Sequence, residues 1–318
     1  MKTHAPRAFL ALLLIAPCSL PATAGSPVQH SIPDLIDQLV EVDSLRTFYA
    51  GTFQFKEFPP LEADPLDASP PSPDASAAES AFQALTRLVE RGPEALPYLL
   101  GHLTDERGTK TIVTDDFAVS MGLSTFIDYR RGNPRELAML EDAGLPAENP
   151  GPDFDGVLED YTLSVGDMCF TLIGMITNRS YYVLVDEFDA QLSSPTQSEP
   201  IATGVMVKWG PAPEPLDLYE QLKSDLESGD PRFSPSAATR LLYYFPGISD
   251  QLVIARLGKL LAAHQPGNDS LANYLEAISW SSHPRLMSTL RRFLQTATDP
   301  SQIAAAARVY RTTPDPRG

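Results

Sequence analysis

The sequence predicts a mainly α-helical chain in which helical hairpins stack into an α-solenoid, interrupted by a small β-hairpin insertion. Three observations carry that expectation. Apolar residues recur at helical spacing on both sides of a tight turn: Phe82, Leu85, Leu88 and Val89 precede Gly92-Pro93, and Leu96, Leu99, Leu100 and Leu103 follow it. The pattern then repeats with a matched offset in the carboxy-terminal third. Ala238 and Leu241 recur 34 residues later as Ala272 and Leu275, and 34 later again as Ala306 and Val309, while Leu257, Leu260 and Leu261 recur 33 later as Leu290, Phe293 and Leu294. A helix pair that cannot bury its apolar face alone buries it against the next copy, so a fixed period signals a stack. Finally, 318 residues with 43% apolar and 20% charged side chains form a globular composition with enough chain to build a core.

Residues 1–24 read as a signal peptide. Lys2 and Arg7 give a basic start, Ala8 to Ala16 is apolar, and Ala22-Thr23-Ala24 places small residues where a signal peptidase reads them. The mature chain is expected to begin at Gly25, exported to a periplasm or beyond. Pro17 breaks the apolar run well short of the about 18 residues a membrane span needs. It also disfavours lipid attachment at Cys18. Loss of Cys18 leaves Cys169 alone, so stability must come from packing rather than a disulfide.

Residues 25–58 form an N-terminal helical segment, with Leu35, Ile36, Leu39 and Val40 on one stripe behind a cap at Ser31 or Asp34. Residues 59–80 hold six prolines, five acids and no basic side chain, and are expected to be a Pro/Asp-rich linker. Residues 81–105 are the first helix pair. Residues 106–160 are the β-hairpin insertion and an acidic loop: Thr109–Asp115 and Ser124–Arg130 are β-branched and aromatic, and 141–160 holds seven acids and three prolines. Residues 161–232 form a central helical region, with a third strand expected within Tyr181–Phe188, and residues 233–318 are the C-terminal helical repeats.

Within the central region, Thr162–Asn178 wound as a helix shows two stripes. Val165, Met168, Cys169, Leu172 and Ile176 form an apolar face, while Asp167, Thr171, Gly174 and Asn178 share another. Gly174 admits a second backbone to that face. Asp167 and Asn178 need partners if buried, and Arg179 is the nearest in sequence. These residues form either a polar pocket or a hydrogen-bonded brace.

Gly92-Pro93-Glu94-Ala95-Leu96-Pro97-Tyr98-Leu99-Leu100-Gly101-His102-Leu103-Thr104-Asp105 resembles a HEAT-type repeat. Together with Tyr161–Tyr181 and Arg240–Pro246, it makes residues 30–265 similar to a group of bacterial HEAT-like proteins without an assigned activity. The resemblance implies a HEAT-like α-solenoid with an insertion and brings no catalytic residues. The period of 34 departs from the roughly 40 of HEAT units.

With 24 basic against 41 acidic residues, the net charge of -17 argues against a nucleic acid or anionic membrane partner. The excess is uneven: residues 281–318 hold six arginines and two acids, whereas 25–280 hold 16 basic and 39 acidic residues. No Walker loop, Rossmann fingerprint, HExxH, GxSxG or SxxK occurs, and no cofactor or metal is expected. Cys169 paired with His264 or His283 is a candidate nucleophile, but its place on the apolar stripe argues for an inert thiol. Asp153-x-Asp155-Gly156 covers only part of a calcium loop. Asp115-Asp116 and Glu159-Asp160 are candidate paired carboxylates. His102 is expected to favour the carbonyl end of its helix.

The residues most suited to binding are Asp167, Asn178, Arg179, Tyr181, Tyr243 and Tyr244, with Tyr182, Trp209 and Trp280 as further aromatic contacts. The expected function is an exported module that binds protein or peptide, or scaffolds. The alternative is a secreted hydrolase using carboxylates near the insertion.

Overall fold

The computed structural model describes residues 30–43, 73–114, 126–131, 134–146, 153–157, 160–186, 190–263, 270–278 and scattered positions between 287 and 307. The chain divides into two units between Ser31 and Ile32. The second unit, from Ile32 onward, is mainly helical, with one two-stranded antiparallel sheet and a four-stranded sheet beside it.

Helix α1 (Ile32–Asp37) continues as a 3-10 turn (Gln38–Glu41) and buries Leu35, Ile36 and Leu39. Helix α2 (Pro73–Arg91) starts inside the segment expected to be linker. Proline at a first helical position is already set for the helix, and the alanines after Pro73 favour it, which outweighs the low hydrophobicity that suggested a linker. Residues 59–72 lie outside the described part. A 3-10 turn (Gly92–Glu94) falls where the sequence expected a turn and leads into the short α3 (Leu96–Gly101), and α1 packs on both α2 and α3.

Strand β1 (Gly108–Thr114) alternates exposed and buried side chains, the mark of a half-buried strand. Its partner is β4 (Asp160–Ser164), antiparallel, with Val113 opposite Tyr161. The expected hairpin between Thr109–Asp115 and Ser124–Arg130 therefore does not form. The second run is β2 (Phe126–Arg131), paired antiparallel with β3 (Asp153–Val157) and parallel with β6 (Ala190–Leu192), which pairs antiparallel with β5 (Leu184–Asp186). Local alternation says that a run is extended but does not name its partner. Burial of Val113 and Leu163 beside the central helix favours the long-range pair. The segment 141–160, expected to be loop, also contains β3 and the end of α4 (Pro134–Asp142), whereas β5 falls where the third strand was expected.

Helix α5 (Val165–Thr177) is buried along its entire length. Helices α2 and α3, strand β4 and helix α7 pack on it. Helix α6 (Glu199–Trp209) lies on α4. Helix α7 (Pro215–Ser228) buries Leu218, Leu222 and Leu226 on one stripe and stops at Gly229, whose φ of 72° a glycine adopts without strain. It is followed by α8 (Ser234–Tyr244), α9 (Asp250–Ala263) and α10 (Ser270–Ala277). Ala238, Leu241, Leu257, Leu275 and Ala306, which define the sequence offset, are buried, and Leu260, Leu261 and Leu294 pack against the same core. The side chain of Ala272 and residues Leu290, Phe293 and Val309 lie outside the described set. No helix among the described residues is long and apolar enough to cross a membrane.

Candidate functional site

Strand β4 runs through Ser164, whose extended backbone (φ -91°, ψ 166°) makes it the N-cap of α5. The helix thus begins at Val165 and not at Thr162. The Ser164 hydroxyl accepts from the Asp167 amide at 3.1 Å, and the Asp167 carboxylate accepts from the Ser164 amide at 2.8 Å, a reciprocal capping box. Tyr161 Oη (2.9 Å) and Ser194 Oγ donate to the same carboxylate. The Val165 and Gly166 amides reach the Arg107 and Asp105 carbonyls at 2.8 and 2.9 Å, so the first turn leaves few donors unused. Burial pushes the Asp167 carboxyl upward, against the pull of the Ser164 amide and the hydroxyls. Asp167 is held, not presented.

At the other end Asn178 takes the left-handed conformation (φ 63°, ψ 42°), which asparagine tolerates, and its amide closes on the Gly174 carbonyl. Its side-chain amide donates to Asp225 and to the Phe233 carbonyl, both at 3.1 Å, while Ser236 donates to its Oδ1. Arg179 grips the same Asp225 through both terminal nitrogens at 2.7 and 3.1 Å and lies over the Phe233 ring. Gln221 adds a fourth donor to Asp225. The buried Arg240 donates from Nε to the Met175 carbonyl at 2.6 Å, at the negative end of the α5 dipole. Burial draws its pKa below the usual arginine range. Tyr181 is buried and stacks on Phe170 with ring centres 5.1 Å apart, and burial pushes its phenol up to about 12.

Asp167 and Asn178 therefore sit at opposite ends of a helix about 20 Å long. Of the pocket and the brace that the sequence left open, the geometry is that of two braces. Arg179 partners Asp225 rather than Asp167.

Tyr243 and Tyr244 lie elsewhere, at the end of α8. The Tyr244 hydroxyl donates to the Val89 carbonyl at 2.7 Å, and its ring fills the space that a Cβ on Gly92 would need. Tyr243 meets Tyr244 edge to face at 5.3 Å, and Tyr219 meets Phe245 in the same way at 5.3 Å. The start of α7, the end of α8 and the 92–94 turn thus share one end of the helical array. Two large apolar side chains face solvent on the same segments: Leu216, 62% exposed and one turn before Tyr219, and Ile248, 70% exposed and three residues after Phe245. Pro246 is exposed between them in sequence. This apolar and aromatic end is the candidate site.

The other sequence candidates are engaged or lie outside the described residues. Cys169 is buried on α5, and burial pushes its thiol far above the usual range. His102 pairs through Nδ1 with Asp105 at 3.0 Å, not with the carbonyl end of its helix. Asp105 is also gripped by Arg107, which holds its carboxyl at about 2. Trp209 is buried and Tyr182 half-buried. Asp115, Asp116, Glu159, His264, Trp280 and His283 lie outside the described residues, as do the side chains of Asp153 and Asp155. Asp160 is exposed at the start of β4.

Sequence reasoning missed Asp225, Leu216 and Ile248. Asp225 carried a signal: a carboxylate beside Leu222 and Leu226 on the buried stripe of α7 requires a cation. Leu216 carried another, since it falls off that stripe. Comparison with protein-family models, with curated proteins and with solved structures gives no match.

Proposed function

We propose that the chain is an exported HEAT-like repeat protein acting as a protein-binding or scaffolding module. One observation carries the reading. Polar side chains singled out for chemistry are turned inward to brace the central helix, while Leu216 and Ile248 are turned outward beside a cluster of aromatic rings. Exposed apolar side chains on segments joined by the Tyr219–Phe245 ring contact are what a polypeptide partner covers.

The order of contacts supports the repeat reading. With the strands, α4 and α6 set aside, α1 packs on α2 and α3, these last two on α5, α5 on α7, α7 on α8 and α9, α8 on α9 and α10, and α9 on α10. From α7 onward each helix contacts the next and, where one follows, the next but one, which is the pattern of stacked pairs. Export rests on the basic, apolar and small-residue order of residues 1–24.

The test is retention of polypeptide from a periplasmic or culture extract by the immobilised chain, compared with the charge-neutral double variant Leu216→Ser/Ile248→Ser. The expected result is a polypeptide held by the native chain and lost from the variant. Recovery of cell-wall polysaccharide alone, or turnover of a hydrolase substrate, overturns the reading.

A further inference from the structure

The apolar end has an acidic border. Glu90 lies beside Tyr243, Glu94 is 70% exposed on the 92–94 turn, and Glu214, Asp217 and Glu220 are exposed along the start of α7. The basic residues described on the same segments are Arg87, Arg91 and Lys223, the last two 3.3 Å from Glu94 and Glu220 respectively, against the five acids just named, so negative charge remains in excess. The whole stretch 25–280 has the same sign, with 39 acidic against 16 basic residues.

The apolar centre is held on fixed backbone. Ile248 donates its amide to the Phe245 carbonyl at 3.2 Å, the Gly247 amide donates to Asp250 Oδ1 at 3.0 Å, and Leu216 follows Pro215 in the first turn of α7. Side chains presented without an ordering cost make an efficient contact. The surface is built from the side chains of helix ends and turns, which suits an amphipathic helix laid across it better than a strand that needs a free row of backbone groups.

Resting on the binding reading above, we infer that this end docks a basic amphipathic helix of a partner protein. Its apolar face covers Leu216, Tyr219, Tyr243 and Ile248, and its lysines or arginines face Glu90, Glu94 and Asp217. Opposed charge steers and orients the partner, and the apolar contact holds it.

The experiment uses the full chain and a fluorescent synthetic peptide of about 18 residues with leucines at helical spacing and lysines between them. A counterpart carries glutamates in place of the lysines. Titration by anisotropy is expected to show the lysine peptide binding at least about tenfold more tightly than the glutamate peptide. Leu216→Ser/Ile248→Ser is expected to weaken it by about tenfold, with an unchanged melting temperature, and Glu90→Gln/Glu94→Gln is expected to weaken it at low salt. Equal binding to the native chain and the serine variant would reduce the attraction to bulk charge and overturn the inference, as would equal binding of the two peptides. If neither peptide binds while the immobilised chain still retains a polypeptide through Leu216 and Ile248, the basic helix is wrong and the binding reading stands. Loss of both removes both.

Discussion

At Gly174, two features of a single residue compete. Alanine there gains helix propensity of about 1 kcal/mol. Its Cβ, however, stands 2.7 Å from the Arg179 carbonyl oxygen and 2.8 Å from Tyr181 Cβ, where the chain doubles back after Asn178. Backbone cannot step aside as a flexible side chain can. Gly174→Ala is therefore expected to destabilise by about 1–3 kcal/mol in urea unfolding despite the helical gain; a stabilised variant would show that the return path is loose. Cys169→Ser is expected to cost about 1 kcal/mol or more, from a hydroxyl placed in an apolar site. The native thiol is expected to react with a thiol reagent only on unfolding, and rapid labelling of the folded chain would contradict its burial. Asp105 gives a pH signature. Its carboxyl is lowered from 3.8 to about 2, chiefly by Arg107, so its contribution is complete above about pH 4 and lost as pH falls through about 2. Melting temperatures of Asp105→Asn against pH are expected to show a flatter acid limb over that interval than the native chain. Of these features, the close approach at Gly174 and the apolar setting of Cys169 were legible from spacing alone. The Arg107 grip on Asp105 was not, because the loop that folds the two together has no periodicity to reveal it.

At the scale of elements, α5 is the best-fastened helix described. It is buried on every side, with its first amides taken by the Asp105 and Arg107 carbonyls, its start boxed by Ser164 and Asp167, and its end tied by Asn178, Arg179 and Arg240. Amide exchange of its interior is expected to need global unfolding, and to be slower than that of α9, which exposes much of its outer face. Exchange of α5 as fast as α9 would mean that the two braces open independently of the core. The helix itself was evident as a long apolar run. Its true start was not, because Tyr161-Thr162-Leu163 also alternates as a strand and only the Ser164-x-x-Asp167 pattern marks the change. Strand pairing was the least legible feature. β1 and β4 are separated by a long insertion, and nothing local in Thr109–Asp115 distinguishes a neighbour in sequence from a distant partner.

At the scale of the whole molecule, the helices within 82–103 and from Ala238 onward were read from apolar spacing because each buries a regular stripe in the shared core. The candidate docking end was not read, since it depends on which segments meet rather than on what each contains. Leu216 and Ile248 are ordinary surface residues until α7, α8 and the 92–94 turn are brought together.

The hydrogen bond from Tyr244 to Val89 joins residues 155 apart in the chain. The first helical hairpin is thus without its aromatic cover until more than two thirds of the polypeptide has been made. Nearest-neighbour stacking alone would let the early pair mature as it emerges. Here its completion waits on a late segment, which slows folding and lengthens the interval in which the nascent chain stays unfinished. The export proposed above would draw on such a delay, since a chain crosses a membrane as an unfolded thread.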